Sequence, residues 1–463
     1  VLSAEAVRED LEHLYTTLQA GHPALFAHRP KAEYDALHAE LLASVKRPLR
    51  RVEAAKLLQR FAAFGRFGHL HLDAPLQAFV EHLGRGGTVL PLFIRVDAGR
   101  VRLTATADRA GALRAGTELL ALQGAPIGAW LERLGAYVSA EQPSLAHAQM
   151  EQSFPALLWL ELGDVQAVEL TTRAADGASA TTRVEAVTLE GLRALQAAHP
   201  TPELATDFST REVRLLPGGV AYLRPGPFFN TGAKAEGPAP SYEDSEFRAF
   251  LDDAFRRVLA AGARDLLVDL RNNPGGDNSF SDPMVAWFAT RPFRFASRFV
   301  LKASAPTKAW YAQQRASGMP IDGSLERLMA AEAAQPDGAL YPFELPLVPP
   351  REGPRFTGRV HVLVNRHSYS NAASVAALIQ DYGFGTVLGE ETADVPTSHA
   401  SAVYFTLPRT GMTVTYPKSY FVRPSGDERV RGVVPQRVLP PPPIGSAEDA
   451  VLEAALAAIA AGR

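Results

Sequence analysis

Residues Arg359–Thr392 read RVHVLVNRHSYSNAASVAALIQDYGFGTVLGEET. Val360 to Val364 is a short apolar run rich in β-branched residues, the pattern of a buried strand. A polar turn follows from Asn365 to Asn371, and Ala372 to Asp381 then has helical character. Thr386 to Leu388 begins a second strand that closes on Gly389-Glu390. The order is strand, turn, helix, strand. It puts Ser370 at the first turn of the helix, where unpaired backbone N–H groups and the positive end of the dipole favour a developing oxyanion. An ordinary helix N-cap is the competing reading of this serine.

About ninety residues earlier lies RDLLVDLRNNPGG, Arg264 to Gly276. Leu266 to Leu270 reads as another buried strand, running into Asn272-Asn273-Pro274-Gly275-Gly276. Paired glycines after a strand allow close backbone approach and leave N–H groups free for a ligand.

Together the two stretches resemble the tail-specific, or C-terminal processing, serine peptidases, a family that includes the tricorn-core enzymes. The matching pieces are Asp269-Leu270-Arg271-Asn272-Asn273-Pro274-Gly275-Gly276, then Ser368-Tyr369-Ser370-Asn371-Ala372-Ala373, then Gly389-Glu390-Glu391-Thr392. The resemblance implies an α/β fold, a ClpP/crotonase-like spiral catalytic domain preceded by an N-terminal helical segment and a PDZ-like β-rich domain. It implies hydrolysis of peptide bonds in proteins or peptides, at C-terminal tails in much of the family, through an acyl-enzyme on Ser370. The oxyanion hole would be built from the backbone N–H of Asn371 with that of Gly276 or Gly275. Only the backbone of Asn371 is expected to matter there.

The base departs from the bacterial pattern. Lysine-dependent members carry their base at the position of Val395, and valine cannot take a proton. Lys418 lies on a different expected strand. The tricorn-type branch uses histidine, and a hydroxyl nucleophile needs such a base at neutral pH. The stretch FGRFGHLHLD places His69 in a Gly-His turn after helical residues, with His71 on the same face of a short expected strand as the weaker alternative. The resemblance puts the orienting glutamate near Glu428, for which a solvated surface charge is the competing reading. Gln436 stands where the family usually has aspartate.

Three parts are expected: a helical domain over 1–82, the PDZ-like domain over 83–195 and the catalytic domain over 196–463. Ala4 to Leu18 places Val7, Leu11, Leu14 and Leu18 on one helical face. Leu119 to Leu122, Gly124 and a helix from Ile127 to Leu134 resemble the centre of a PDZ module, which binds extended peptide by strand addition. Val165–Thr172 and Thr181–Val187 read as a hairpin, and Ser245–Ala260 as an amphipathic helix. Phe228–Ser241 reads as a loop, 302–350 as an insertion or flap with poor periodicity, and Ala447–Ala460 as a closing helix.

With 463 residues the chain exceeds one compact core. Its 46% apolar and 21% charged residues are those of a globular protein, and a net charge of −3 gives no argument for nucleic acid. There is no cysteine, hence no disulfide, thiolate nucleophile or cysteine metal site, and neither metal nor cofactor is expected. No apolar run has the roughly 18 residues of a membrane helix. The chain opens on Val1, and the expectation is a mature chain whose targeting segment has been removed. Family resemblance alone implies a periplasmic or secreted location. Two other functions compete. One is an inactive relative that binds peptides or hydrophobic ligands. The other is a crotonase-like acyl-thioester enzyme, against which the DLRNNPGG motif and the PDZ-like stretch argue.

Overall fold

The computed structural model describes residues 1–106, 113–231, 243–318, 321, 323–446 and 448–462. The expected loop Phe228–Ser241 lies mostly outside the described residues, as does 107–112 in the PDZ-like stretch. Contacts divide the chain differently from the three expected parts. One compact unit holds residues 1–205, 402–417 and 443–448; the other holds 206–401, 418–442 and 449–463.

The first unit begins with helices Ala4–Gly21, Lys31–Ser44 and Arg51–Ala63. The spacing of Val7, Leu11, Leu14 and Leu18 buries all four side chains on one face. Strands Leu92–Asp97, Arg100–Thr106, Glu118–Leu122, Ala167–Arg173 and Ser179–Glu185 pair in that order into an antiparallel sheet. The helix Pro143–Leu162 is a departure from the sequence reading. Pro155 inside it reads as a breaker, and apolar residues around its whole circumference hide the period. The late segment 402–417 joins this unit through Asp10. That buried carboxylate accepts the N–H groups of Arg409 at 2.9 Å and Thr410 at 2.7 Å.

The second unit is built on a six-stranded sheet in the order Glu212–Leu216, Val220–Arg224, Asp265–Asp269, Arg359–Val364, Thr386–Gly389, Arg437–Val438. The first strand is antiparallel to the second, and the other neighbours are parallel. Strand alternation sends side chains to two apolar layers. Leu266, Val268, Val360 and Val362 pack with the helices Ser245–Ala260, Asn278–Ala286 and Asn371–Tyr382. Leu267, Leu363 and Leu388 pack with the C-terminal helix Ala450–Ala461. Parallel strands covered on both faces give the continuous apolar runs seen in the sequence.

Residues 302–350 are more regular than their sequence suggests. They hold helices Ala305–Ala316 and Gly323–Ala333 and the strand Leu340–Pro342. The first helix is started by Ser304, whose hydroxyl accepts the Thr307 N–H, with Pro306 in its opening turn. Pro306 opens the first of these helices and Pro336 follows the end of the second.

Candidate active site

The DLRNN stretch leaves its strand into a network that is structural. The Asp269 side chain is fully buried, receives the Tyr222 hydroxyl at 2.9 Å and pairs with the Arg271 guanidinium at 2.7 Å. Arg271 also forks onto both carboxylate oxygens of Asp449 at 2.7 Å. Asp449 in turn caps the C-terminal helix through the Leu452 N–H. The motif's aspartate and arginine therefore tie the central strand to the last helix.

The two asparagines that follow carry the turn. Asn272 adopts φ 58°, a left-handed conformation that asparagine tolerates. Its side-chain oxygen receives the Asn365 amide at 2.7 Å, and its N–H donates to Asn365 Oδ1 at 3.1 Å. Asn273 donates to the Gly226 carbonyl at 2.7 Å, and its carbonyl receives the Tyr369 N–H at 3.0 Å. Ser368 Oγ donates to the Leu270 carbonyl at 2.7 Å. These bonds join the loops 270–275 and 365–371, so the two motifs seen in the sequence meet in space.

Gly275 is the point of closest approach. A Cβ built there would lie 2.6 Å from the Asn371 nitrogen and 2.8 Å from Ser370 Cβ, so only glycine fits. Its N–H is already donated to Asn273 Oδ1 at 2.8 Å. This corrects the expectation that either glycine could supply an oxyanion donor, because a donor engaged inside the loop is not available to substrate. The Gly276 N–H has no hydrogen-bond partner among the described residues.

Ser370 stands at the N-cap of Asn371–Tyr382 with φ 53° and ψ −123°, and its side chain makes no capping bond. The Ala372 N–H reaches the Tyr369 carbonyl at 3.0 Å. Those angles and that bond are the first central position of a type II′ turn, where glycine is preferred. A serine held there stores strain of about 1–3 kcal/mol, a pattern concentrated at functional sites. As the first residue of the helix, Asn371 has an N–H with no carbonyl one turn back to reach.

Asp394, which the sequence reading did not single out, accepts the Ser370 N–H on one oxygen and the Val395 N–H at 2.9 Å on the other. Burial pushes its carboxyl up to about 6, against the two N–H bonds that favour the charged form. Val395 is buried. Lys418 is also buried. It donates to the Ser401 carbonyl at 3.1 Å, and burial lowers its ammonium to about 8 against the nearby charges of Asp277 and Glu332.

The remaining predicted residues are on other segments of the chain. His69 belongs to the first unit, in the turn Phe67–Leu70 closed by the Leu70 N–H on the Phe67 carbonyl at 2.9 Å. The strand that follows starts only at His71, so the expected alternation from Gly68 is shorter than read. His71 faces Asp73 at 3.5 Å. Glu428, in the second unit, is half-exposed and paired with Arg298 at 2.6 Å. Among the described residues, no group of three or more His, Asp or Glu side chains could hold a metal ion, and no helix is long and apolar enough to cross a membrane.

Residues 239–439 match the sequence model of peptidase family S41. Solved structures similar to this one include mature CPAF complexed with lactacystin, 17% identical with a TM-score of 0.62 over 94% of each chain. Another structure of mature CPAF is 16% identical, with a TM-score of 0.60 over 94% of this chain and 93% of that one. The photosystem II D1 C-terminal processing protease is 17% identical, with a TM-score of 0.46 over 95% of this chain and 98% of that one. No curated protein matches the chain by sequence. The class is thus that of the serine-type peptidases, on an α/β catalytic fold accompanied by a β-rich region. The peptidase family S41 match lies in the catalytic region, residues 239–439.

Proposed function

We propose that the chain cleaves peptide bonds by acyl transfer through Ser370. The observation that carries this reading is the type II′ turn that holds Ser370 strained at the start of a helix, with its side chain not used as a cap. Attack by Ser370 Oγ on a scissile carbonyl forms a tetrahedral oxyanion. The N–H groups of Gly276 and Asn371 receive that charge, and Gly275 keeps the two segments in contact. Because Asp394 occupies the N–H of Ser370 itself, that group plays no part in the hole.

His69 is the proposed base that takes the Ser370 proton and returns it to the leaving amine, and Glu428 the proposed orienting carboxylate. To serve, Glu428 exchanges its pairing with Arg298. The finer reading is a protein or peptide substrate presented as an extended tail, with the sheet within residues 83–195 acting as a PDZ-like module, in an exported enzyme. The strand–Gly–helix order Glu118–Leu122, Gly124, Ile127–Gly135 supports that module.

A fluorophosphonate probe tests the nucleophile. The parent protein is expected to be labelled and Ser370→Ala is not. Labelling that survives Ser370→Ala would refute the assignment. For the base, His69→Ala should lose orders of magnitude in kcat while Lys418→Ala loses little; the reverse result would place the chain in the serine–lysine branch.

A further inference from the structure

The two proposed oxyanion donors sit on segments far apart in sequence. Gly276 precedes the helix Asn278–Ala286, and Asn371 opens the helix Asn371–Tyr382. An oxyanion hole works only if both N–H groups lie about 2.7–3.1 Å from one point. Backbone contact at Gly275 brings the segments together but does not fix how the Asn371 peptide plane is turned. A second link between the same two helices does. Asn371 Nδ2 donates to Ser281 Oγ at 3.0 Å, across 90 positions of sequence.

Both side chains are buried, Ser281 at 0% and Asn371 at 4% exposure. Their neighbours in the core are apolar: Phe280, Met284, Ala372 and Val375. Among the described residues, each of these side chains has the other as its hydrogen-bond partner. A buried amide left without a partner costs about 1–3 kcal/mol, so the pair is held together firmly. The amide side chain and the donor N–H belong to the same residue. Anchoring one on Ser281 therefore restricts the other.

We infer that Asn371 and Ser281 are positioning residues for the oxyanion hole. Their bond sets the Asn371 N–H in register with the Gly276 N–H. The expectation that only the Asn371 backbone matters is thereby replaced. The inference rests on Ser370 being the nucleophile.

Ser281→Ala and Asn371→Ala each lower kcat about 10- to 100-fold, below the 10²–10³ of a lost oxyanion donor, and leave KM nearly unchanged. The double variant is no worse than the weaker single one, because either change breaks the same bond. Binding of a peptide boronate, which mimics the tetrahedral state, weakens in step with kcat/KM. Val375→Ala, a buried apolar truncation in the same helix, is the control. It lowers Tm without changing boronate affinity. If Asn371→Ala does not fold, Ser281→Ala, which removes one oxygen, carries the test. Full kcat in both single variants, with Ser370→Ala inactive, overturns the inference and leaves the nucleophile assignment standing. Equal loss of boronate affinity in Val375→Ala overturns it as well. Activity surviving in Ser370→Ala removes its foundation.

Discussion

The buried carboxylate of Asp394 bridges the backbone N–H groups of Ser370 and Val395, one on each oxygen. The backbone of the proposed nucleophile is thus held by a residue 24 positions further on. Truncation to Asp394→Ala leaves two buried N–H groups unpaired, at about 1–3 kcal/mol each. Urea unfolding should show that loss. Steady-state assays should show kcat falling at least roughly tenfold as the turn relaxes. Unchanged kcat would mean that the turn holds its shape without this support.

Ser370 adopts the backbone angles of glycine's preferred turn position. Ser370→Gly and Ser370→Ala should both be inactive, yet differ in stability. Glycine relieves the strain and alanine keeps its Cβ there. The glycine variant should be the more stable by about 1 kcal/mol, the relief of strain less the added freedom of the unfolded chain. Thermal unfolding of the two proteins side by side decides it; an alanine variant as stable as the glycine one would mean that the turn carries no strain.

Arg271 neutralises a fully buried Asp269 and holds Asp449 at the start of the last helix. Removing one partner of a buried pair strands the other. Arg271→Ala is therefore expected to lose about 3–5 kcal/mol in urea titration. A loss under about 1 kcal/mol would mean that the network behaves as an exposed surface pair.

Asp282 gives a pH signature. Burial pushes its carboxyl up to about 7, the bond from Asn278 opposes this, and nearby Asp277 adds to it. The folded state thus holds this proton more tightly than the unfolded chain, whose carboxylate titrates near 3.9. The resulting stability is full below about pH 4 and is lost as pH rises through about 7. Asp282→Asn removes the charge that must otherwise be buried. Its Tm should exceed the parent's by a few degrees at pH 8.5, and the gap should narrow as pH falls below 7 and close by about pH 4. A gap independent of pH would refute this account.

The catalytic sheet was largely legible because parallel strands covered on both faces must be apolar throughout. Leu266–Leu270 and Val360–Val364 show that in plain sequence, and the structure places strands at Asp265–Asp269 and Arg359–Val364. Ser370 and the glycines were singled out from turn chemistry and motif order. What escaped were residues whose roles depend on distant partners. Asp394, Ser281 and Asn273 are common polar residues with no local pattern, and only the fold gives them Ser370, Asn371 and Gly226 as neighbours. Which glycine N–H lacks a partner among the described residues was equally hidden, because it turns on one bond that Gly275 donates to Asn273 Oδ1. The helix Pro143–Leu162 was missed for another reason: its proline and its all-round apolar surface erase the period that identifies helices.

Asp10 is held by the N–H groups of Arg409 and Thr410, some 400 positions further on. The polypeptide accordingly passes between its two compact units five times, after residues 205, 401, 417, 442 and 448. During synthesis the first helix emerges early, but its buried carboxylate waits for nearly the whole chain to be made. Such long-range closure slows folding and prolongs exposure of unfinished surfaces. It also means that neither unit is a contiguous stretch of chain. Cutting the polypeptide after residue 205 would release an N-terminal fragment that has lost the segment 402–417 and its bonds to Asp10.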